Sequence, residues 1–199
     1  MDNYITGFLA DVEQIAHSID TAAVEQVVEH LVGLRERSGR LFFLGIGGGA
    51  ANAAHAVNDF RKIAHIEAYA PTDNVSELTA RANDHGWNTI FADWLRISKL
   101  SANDAVFVFS VGGGSKEKNI SANIVEALEY AVEVGAAILG IVGRDGGFTA
   151  KVADACVVVP AASPDTVTAH TESFQAVLWH LVVSHPRMKV AEMKWESVR

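Results

Sequence analysis

The feature that most constrains this chain is a cluster of glycines that directly follows an apolar run. The run Leu41-Phe42-Phe43-Leu44 leads into Gly45-Ile46-Gly47-Gly48-Gly49, and an alanine-rich stretch comes next. This pattern predicts a buried strand over 41–45, a tight turn, and a helix over 49–63. Glycines let a ligand approach the backbone closely, and the first amides of a helix have no partners within it. The turn is therefore a candidate anion site, although an ordinary glycine turn of an α/β sheet has the same pattern.

Two well-known phosphate loops do not match this turn. The dinucleotide fingerprint GxGxxG needs a third glycine at position 50, and that residue is Ala50. The Walker loop needs a Lys-Ser or Lys-Thr pair after the glycines, and none follows. Any anion would therefore be held by backbone amides and the helix dipole.

Composition excludes several classes of protein. The 199 residues are 49% hydrophobic and 20% charged, which predicts one globular domain spanning 1–199. The formal charge of −8 argues against a nucleic-acid backbone or an anionic membrane as the main partner.

The cellular compartment is also constrained by the sequence. The single cysteine, Cys156, cannot form an internal disulfide, which suits a reducing cytosol. The sequence has no signal core and no apolar run of membrane-spanning length. We therefore expect a cytoplasmic protein.

Apolar runs and helical periodicity predict an alternation of strands and helices. The predicted strands are 41–45, 66–70, 104–110, 136–142 and 155–159. The predicted helices are 4–18, 22–35, 49–63, 75–82, 87–97, 119–134, 148–153 and 166–184, with a turn at 83–86. This order predicts an α/β fold, a three-layer doubly wound sandwich around a mainly parallel five-stranded sheet. Two helices before the first strand cannot both be crossovers, so at least one packs outside the sheet or on another subunit.

Both glycine turns should lie at one edge of that sheet. The turns at 45–49 and 112–115 each follow a strand and precede a helix. In open parallel sheets, ligands bind outside the carboxyl ends of the strands. The two turns are therefore expected to face the same site.

Four motifs carry a resemblance to a known family. They are GxGGxAANxxH at 45–55, ANDHG at 82–86, SxxGxS at 110–115 and GRDGG at 143–147. In order and spacing they resemble the sugar isomerase (SIS) domain family, and more closely its bacterial phosphoheptose isomerases, over essentially the whole chain.

The resemblance implies a reaction and an assembly. It implies a homotetramer with active sites at subunit interfaces, in which the helices of 1–36 serve packing or oligomerisation. The reaction would interconvert a ketose phosphate, sedoheptulose 7-phosphate, and an aldose phosphate through an enediol(ate). A carboxylate and a histidine would move the protons, and a divalent metal, Zn²⁺, would be bound.

The family's functional positions can be carried over residue by residue. The implied metal ligands are His55, Asp59, Glu172 and His180. Among them, Asp59 is the implied base and His180 its acid/base partner. Asp59 replaces the usual glutamate, and Glu172 replaces the usual glutamine. The implied substrate-binding residues are Gly47, Gly48, Gly49, Asn52, Asp84, Ser110, Gly112, Gly113, Gly114 and Ser115.

Helix geometry tests the proposed ligand set. His55 and Asp59 are four positions apart and share one helix face, as a ligand pair or as a plain surface pair. Glu172 and His180 are eight positions apart, a rise of about 12 Å on a regular helix. They cannot share one ion unless Glu172 lies in an irregular segment before the helix. His180 also fits a buried core position among its apolar neighbours.

The phosphate site departs from the family's pattern. Three hydroxyl donors of the family are missing, which leaves Ser110, Ser115 and the backbone amides. Consecutive glycines can form an anion-binding nest. The inserted segment 116–121 offers Lys116 or Lys118 to an anion, although both lysines also fit a solvated loop.

Two other functions stay open at this point. The altered phosphate turn and the change from glutamate to aspartate also fit a non-catalytic SIS module that binds a sugar phosphate or a protein. The altered phosphate turn also fits an isomerase for a different sugar.

Overall fold

The computed structural model describes residues 3–198, which contain five strands, nine α-helices and one short 3₁₀ turn. The strands are β1 Leu41–Gly45, β2 Ala68–Tyr69, β3 Ala105–Ser110, β4 Ala137–Val142 and β5 Ala155–Val158. The helices are α1 Asn3–Ser18, α2 Thr21–Glu36, α3 Gly48–Lys62, α4 Val75–His85, α5 Ile90–Ile97, α6 Ala122–Val134, α7 Gly147–Val152, α8 Val167–Ser184 and α9 Lys194–Ser197, and the 3₁₀ turn is Pro71–Asp73.

The five strands form one parallel sheet in the order β2-β1-β3-β4-β5. Strands β1 and β3 are buried almost throughout, as expected for a parallel sheet covered on both faces. Side chains alternate between the faces, so Phe43 and Phe107 meet α2, α3 and α8, while Phe42 and Val106 meet α5 and α6. The predicted three-layer α/β sandwich is confirmed.

The strand order determines where a ligand can bind. The chain crosses from β1 to β2 on one side of β1 and then returns to β3 on the other side. The connections therefore diverge between the carboxyl ends of β1 and β3, which is the topological switch point where open α/β sheets bind ligands. Both glycine turns lie there.

Several predicted element ends differ from the structure. The predicted turn at 83–86 is wrong in its first three residues, which form the last turn of α4, and the helix ends instead at Gly86 with φ 90°. Helix α6 begins at Ala122 rather than at 119, because Asn119 and Ser121 adopt left-handed backbone conformations. Strand β2 is only two residues long.

Helix α1 is mostly exposed and joins the core through the buried Ile15 and the partly buried Val12. Its Tyr4, Ile5 and Leu9 are exposed. It contacts α8 where the Phe8 ring lies 4.2 Å from the ring of His170, centroid to centroid.

Among the described residues, no helix is long and apolar enough to cross a membrane.

A buried ion pair joins the beginnings of β1 and β3. The Asp104 carboxylate, 2% exposed, accepts hydrogen bonds from the backbone and guanidinium of Arg40 at 2.8 to 3.1 Å, and from Ser101 at 2.9 and 3.0 Å. Burial alone would raise the pKa of Asp104, but the bonds from Arg40 and Ser101 outweigh it and lower that pKa.

We predict that Asp104→Ala lowers the free energy of unfolding by about 3–5 kcal/mol, because it removes the buried acceptor that Arg40 and Ser101 share. Urea denaturation measures this loss. Asp93→Ala, which breaks the more exposed Asp93–Arg96 pair, is the control and should cost less than about 1 kcal/mol. Because the pKa of Asp104 is lowered by folding, the gap between wild type and Asp104→Ala should narrow as the pH falls below about 4. An equal cost at both positions would contradict the prediction.

Candidate functional site

A cavity of about 800 Å³ opens at the carboxyl ends of β1, β3 and β4. Of the predicted substrate-binding residues, the cavity is lined by Gly49, Ser110, Gly112, Gly114 and Ser115. The expectation that both glycine turns face one site is therefore confirmed. Lys118, Arg144 and Glu172 also line the cavity.

The turns approach each other closely because they lack side chains. A Cβ on Gly49 would overlap the carbonyl oxygen of Phe109, so the start of α3 lies directly against β3. Gly113, with φ 67°, lies against the Gly146 carbonyl in the turn after β4. Its own carbonyl accepts hydrogen bonds from the amide and the hydroxyl of Thr149, at 2.9 and 2.8 Å. The floor of the cavity is therefore packed backbone.

The second turn keeps amides that can face a ligand. The Ser110 hydroxyl accepts a hydrogen bond from the Gly113 amide at 3.1 Å, so this oxygen helps to hold the turn itself. Within residues 3–198, the amides of Gly112 and Gly114 have no hydrogen-bond partner. These two amides are available to an anion in the cavity.

The other predicted substrate-binding residues do not line this cavity in the described chain. They are Gly47, Gly48, Asn52, Asp84 and Gly113. Asn52 donates to the Glu172 carbonyl and to Gln175 Oε1, both at 2.9 Å, so its amide joins α3 to α8. Asp84 is exposed in α4, where it accepts a hydrogen bond from Asn83 at 2.8 Å.

A second group of polar side chains lies further along α3 and α8. His55, Asp59 and His180 each offer a ligand atom, and these atoms all lie within 4.8 Å of one another. The Asp59 Oδ2 atom is 3.6 Å from His55 Nε2 and 3.5 Å from His180 Nε2. We call these three residues the His-Asp-His cluster. The structure therefore brings together three of the four residues that the resemblance implied as metal ligands, and their roles stay a prediction.

Glu172 does not join the cluster, which corrects the predicted four-residue metal set. Helix α8 begins at Val167, so Glu172 lies inside a regular helix and not in an irregular segment before it. Its carboxylate lies against Gly48 at the start of α3 and lines the cavity, about 12 Å along the helix axis from His180. A carboxylate is favourable there because a helix N-terminus carries a partial positive charge.

Neighbouring groups orient the cluster. His180 Nδ1 lies 2.7 Å from the Ala176 carbonyl, which favours the tautomer that donates from Nδ1 and leaves the Nε2 lone pair directed at the cluster. Asp59 Oδ2 accepts a hydrogen bond from Trp179 Nε1 at 3.2 Å, and Oδ1 accepts one from Asn58 at 3.0 Å. Sequence reasoning missed Trp179, because an apolar ring beside His180 is typical of a core residue.

A parallel α/β sheet with a ligand cavity at its switch point is the architecture expected from the sequence motifs, and comparison with known sequences supports the same family. The profile of the SIS domain family matches residues 3–143, so the chain belongs to the SIS domain family.

Several relatives of the chain are phosphoheptose isomerases. The phosphoheptose isomerase of Rhodospirillum rubrum is 32% identical over 156 residues, which cover 74% of this chain and 72% of the relative. That of Roseiflexus sp. is 31% identical over 191 residues, covering 92% and 88%. The solved structure of the phosphoheptose isomerase from Neisseria gonorrhoeae superposes with a TM-score of 0.78 at 26% identity, covering 91% of this chain and 95% of that chain. The family inferred from the motifs is confirmed.

The contact between the two turns yields a matched pair of substitutions. Gly113→Ala should lower the free energy of unfolding by about 2 kcal/mol or more, because its Cβ would meet the Gly146 carbonyl at a positive φ. Gly112→Ala, one residue away, should cost less than about 1 kcal/mol, since its Cβ would contact only the Arg144 side chain at 3.6 Å. Thermal melting measures both. A larger loss for Gly112→Ala would refute the described packing.

Proposed function

We propose that the protein is a sugar-phosphate isomerase that interconverts a ketose phosphate and an aldose phosphate, with sedoheptulose 7-phosphate as substrate. The single observation that carries this proposal is the His-Asp-His cluster, with its ligand atoms within 4.8 Å of one another. Such an isomerisation needs an acid and a base side by side. The names of the relatives supply the substrate class.

In this proposal, Asp59 and His180 move the protons. The Asp59 carboxylate takes a proton from the carbon next to the carbonyl, which leaves an enediol(ate), and returns it to the neighbouring carbon. His180 takes the proton of the adjacent hydroxyl and delivers it to the former carbonyl oxygen. The hydrogen bond from Trp179 holds Asp59 in place for this transfer. One carbonyl moves by one carbon, and no atom is gained or lost.

The donor chemistry of the cluster also fits a divalent metal, for which we propose Zn²⁺. Two imidazole Nε2 atoms and one carboxylate match the three-ligand sets of catalytic zinc, and the Ala176 carbonyl behind His180 is the partner such a ligand usually has. When bound, the ion would supply a Lewis acid that polarises a carbonyl. Since His180 Nε2 cannot hold an ion and a proton at once, the metal content of the active protein determines which role it has.

We further propose a homotetramer with active sites between subunits. The His55 and His180 side chains are 57% and 49% exposed, and the exposed apolar residues Val177 and Leu181 neighbour His180 on α8. Exposed apolar surface beside such a cluster is typical of an interface. The cavity and the cluster are separate within one chain, and a second copy can bring them together.

We place this enzyme in the cytoplasm. Burial raises the pKa of the Cys156 thiol to about 12, so the unpaired cysteine is unreactive and has no disulfide role. That chemistry suits a reducing compartment.

The activity test uses purified protein with sedoheptulose 7-phosphate. Wild type should convert it to an aldose phosphate, and Asp59→Asn and His180→Gln should each lower kcat by at least about 100-fold, because each removes a proton carrier. His30 lines a different cavity, which lies at the amino ends of β4 and β5, so the control His30→Gln should keep full activity. Absence of turnover of sedoheptulose 7-phosphate by folded wild type would reject this substrate. Absence of turnover across a panel of other sugar phosphates as well would reject the isomerase and favour a non-catalytic SIS module.

The metal test uses elemental analysis of untreated protein and zinc titration against a competing chelator. Wild type should bind zinc, and His55→Ala should weaken binding by more than about 100-fold, since even outer-shell changes cost about 10–100-fold. Trp179→Phe keeps an aromatic ring but removes the hydrogen-bond donor to Asp59, so we expect zinc binding to weaken about tenfold. Glu172→Gln is the control and should bind as wild type. If Glu172→Gln weakened zinc binding as much as His55→Ala does, Glu172 would have to be counted among the metal ligands after all.

A further inference from the structure

Three cationic side chains line the cavity, Lys118, Arg144 and Lys151, and the charge of Lys151 helps to lower the pKa of Glu117. Lys118 comes from the loop after the second glycine turn, and Arg144 comes from the turn after β4. Within the described residues, neither the Lys118 nor the Arg144 side chain makes a hydrogen bond or an ion pair. The neighbouring Lys116 differs, because its ammonium binds Glu129 at 2.5 Å.

The backbone holds Lys118 and Arg144 at the cavity. Ser115 and Ile120 exchange backbone hydrogen bonds of 2.9 and 3.0 Å, which closes the loop that carries Lys118. The Lys118 amide donates to the Ser115 hydroxyl at 3.2 Å. Arg144 adopts a left-handed conformation with φ 55°, between the buried Gly143 and a turn closed by the Gly146 amide on the Gly143 carbonyl. Hydrogen bonds therefore hold the backbone of both residues in place beside the cavity.

Two of the three carboxylates that share the cavity accept hydrogen bonds from their own loops. Glu117 accepts hydrogen bonds from its own backbone and from the Ser115 hydroxyl, and together with the charge of Lys151 these lower the pKa of Glu117. Asp145 accepts the Gly147 amide at 3.2 Å. Glu172 lies against Gly48 at the start of α3. The side chains beside the second glycine turn that have no hydrogen-bond partner among the described residues therefore include the cations Lys118 and Arg144.

From this geometry we infer that Lys118 and Arg144 bind the phosphate group of the substrate, together with the amides of Gly112 and Gly114. The inference rests on the proposed function and names the residues that select a phosphorylated sugar. Segment 111–114, Val-Gly-Gly-Gly, has no side-chain donor, so a dianion there needs charge from elsewhere in the cavity. A guanidinium offers a planar fork to phosphate oxygens, and an ammonium adds a point charge.

Binding measurements test this inference without depending on turnover. Isothermal titration with inorganic phosphate and with sedoheptulose 7-phosphate would compare wild type with Lys118→Met and Arg144→Gln. Each substitution should weaken both ligands about tenfold to hundredfold, the usual range for a charge-assisted hydrogen bond. Lys116→Met, in the same loop, should bind as wild type because its charge is committed to Glu129. Binding to wild type should also weaken with added salt.

Kinetics provide the second readout. If both groups bind the phosphate equally in ground and transition states, the substitutions should raise KM and leave kcat nearly unchanged. The affinity for unphosphorylated sedoheptulose should not change. Arg144→Lys, which keeps the charge, should recover part of the affinity, and melting curves confirm that each variant is folded.

The outcomes separate this inference from the proposed function. Wild-type isomerisation with unchanged phosphate affinity in Lys118→Met and Arg144→Gln would overturn the inference alone. Equal losses in Lys116→Met would also overturn it, because they would show a diffuse charge effect. Absence of isomerisation, with phosphate binding weakened only at Lys118 and Arg144, would reject the enzyme and support the phosphate site.

Discussion

The contact between the start of α3 and the carboxyl end of β3 determines where the rest of the site lies. Gly49 touches the Phe109 carbonyl oxygen, and no residue with a side chain fits that space. Because of this contact, the two glycine turns lie side by side at the switch point of the sheet. It also fixes the path of α3, so that His55 and Asp59 arrive beside α8. This one close contact between two backbone segments therefore determines the positions of both the cavity and the His-Asp-His cluster.

Helices α3 and α8 are joined by polar contacts that serve the site as well as the fold. Near the cavity, the Asn52 side chain donates hydrogen bonds to the Glu172 carbonyl and to the Gln175 side chain. Further along, Asp59 accepts the indole hydrogen of Trp179 while its carboxylate faces two imidazoles. Asp59 is mostly buried, with 11% of its side chain exposed, so its charge is supported by these donors. The shorter side chain of an aspartate suits this position because the histidines already lie within 3.6 Å of it.

Strongly patterned parts of the chain were predictable from the sequence. The buried strands β1, β3 and β4 agree with their apolar runs, because a parallel sheet needs both faces covered. The convergence of His55, Asp59 and His180 was predictable only through the family, since tertiary packing and not spacing brings α3 to α8. The helical state of residues 83–85 was missed because turn-forming side chains also fit the last turn of a helix ended by Gly86. The place of Glu172 depended on where α8 begins, which the sequence pattern did not specify.

The separation of cavity and cluster has a physical consequence for how such a chain can work. Along α8 the cavity carboxylate Glu172 and the cluster imidazole His180 are two helical turns apart, and a rigid helix cannot shorten that distance. The cluster is instead open on its outer side, with its imidazoles half exposed beside Val177 and Leu181. When another protein surface covers these side chains, it buries the apolar residues and excludes water from the imidazoles. The electrostatic interactions of the cluster then become stronger, because the environment is drier. The arrangement of one chain therefore supports the proposal of an active site completed by association, in which the glycine turns and the His-Asp-His cluster would come from different copies.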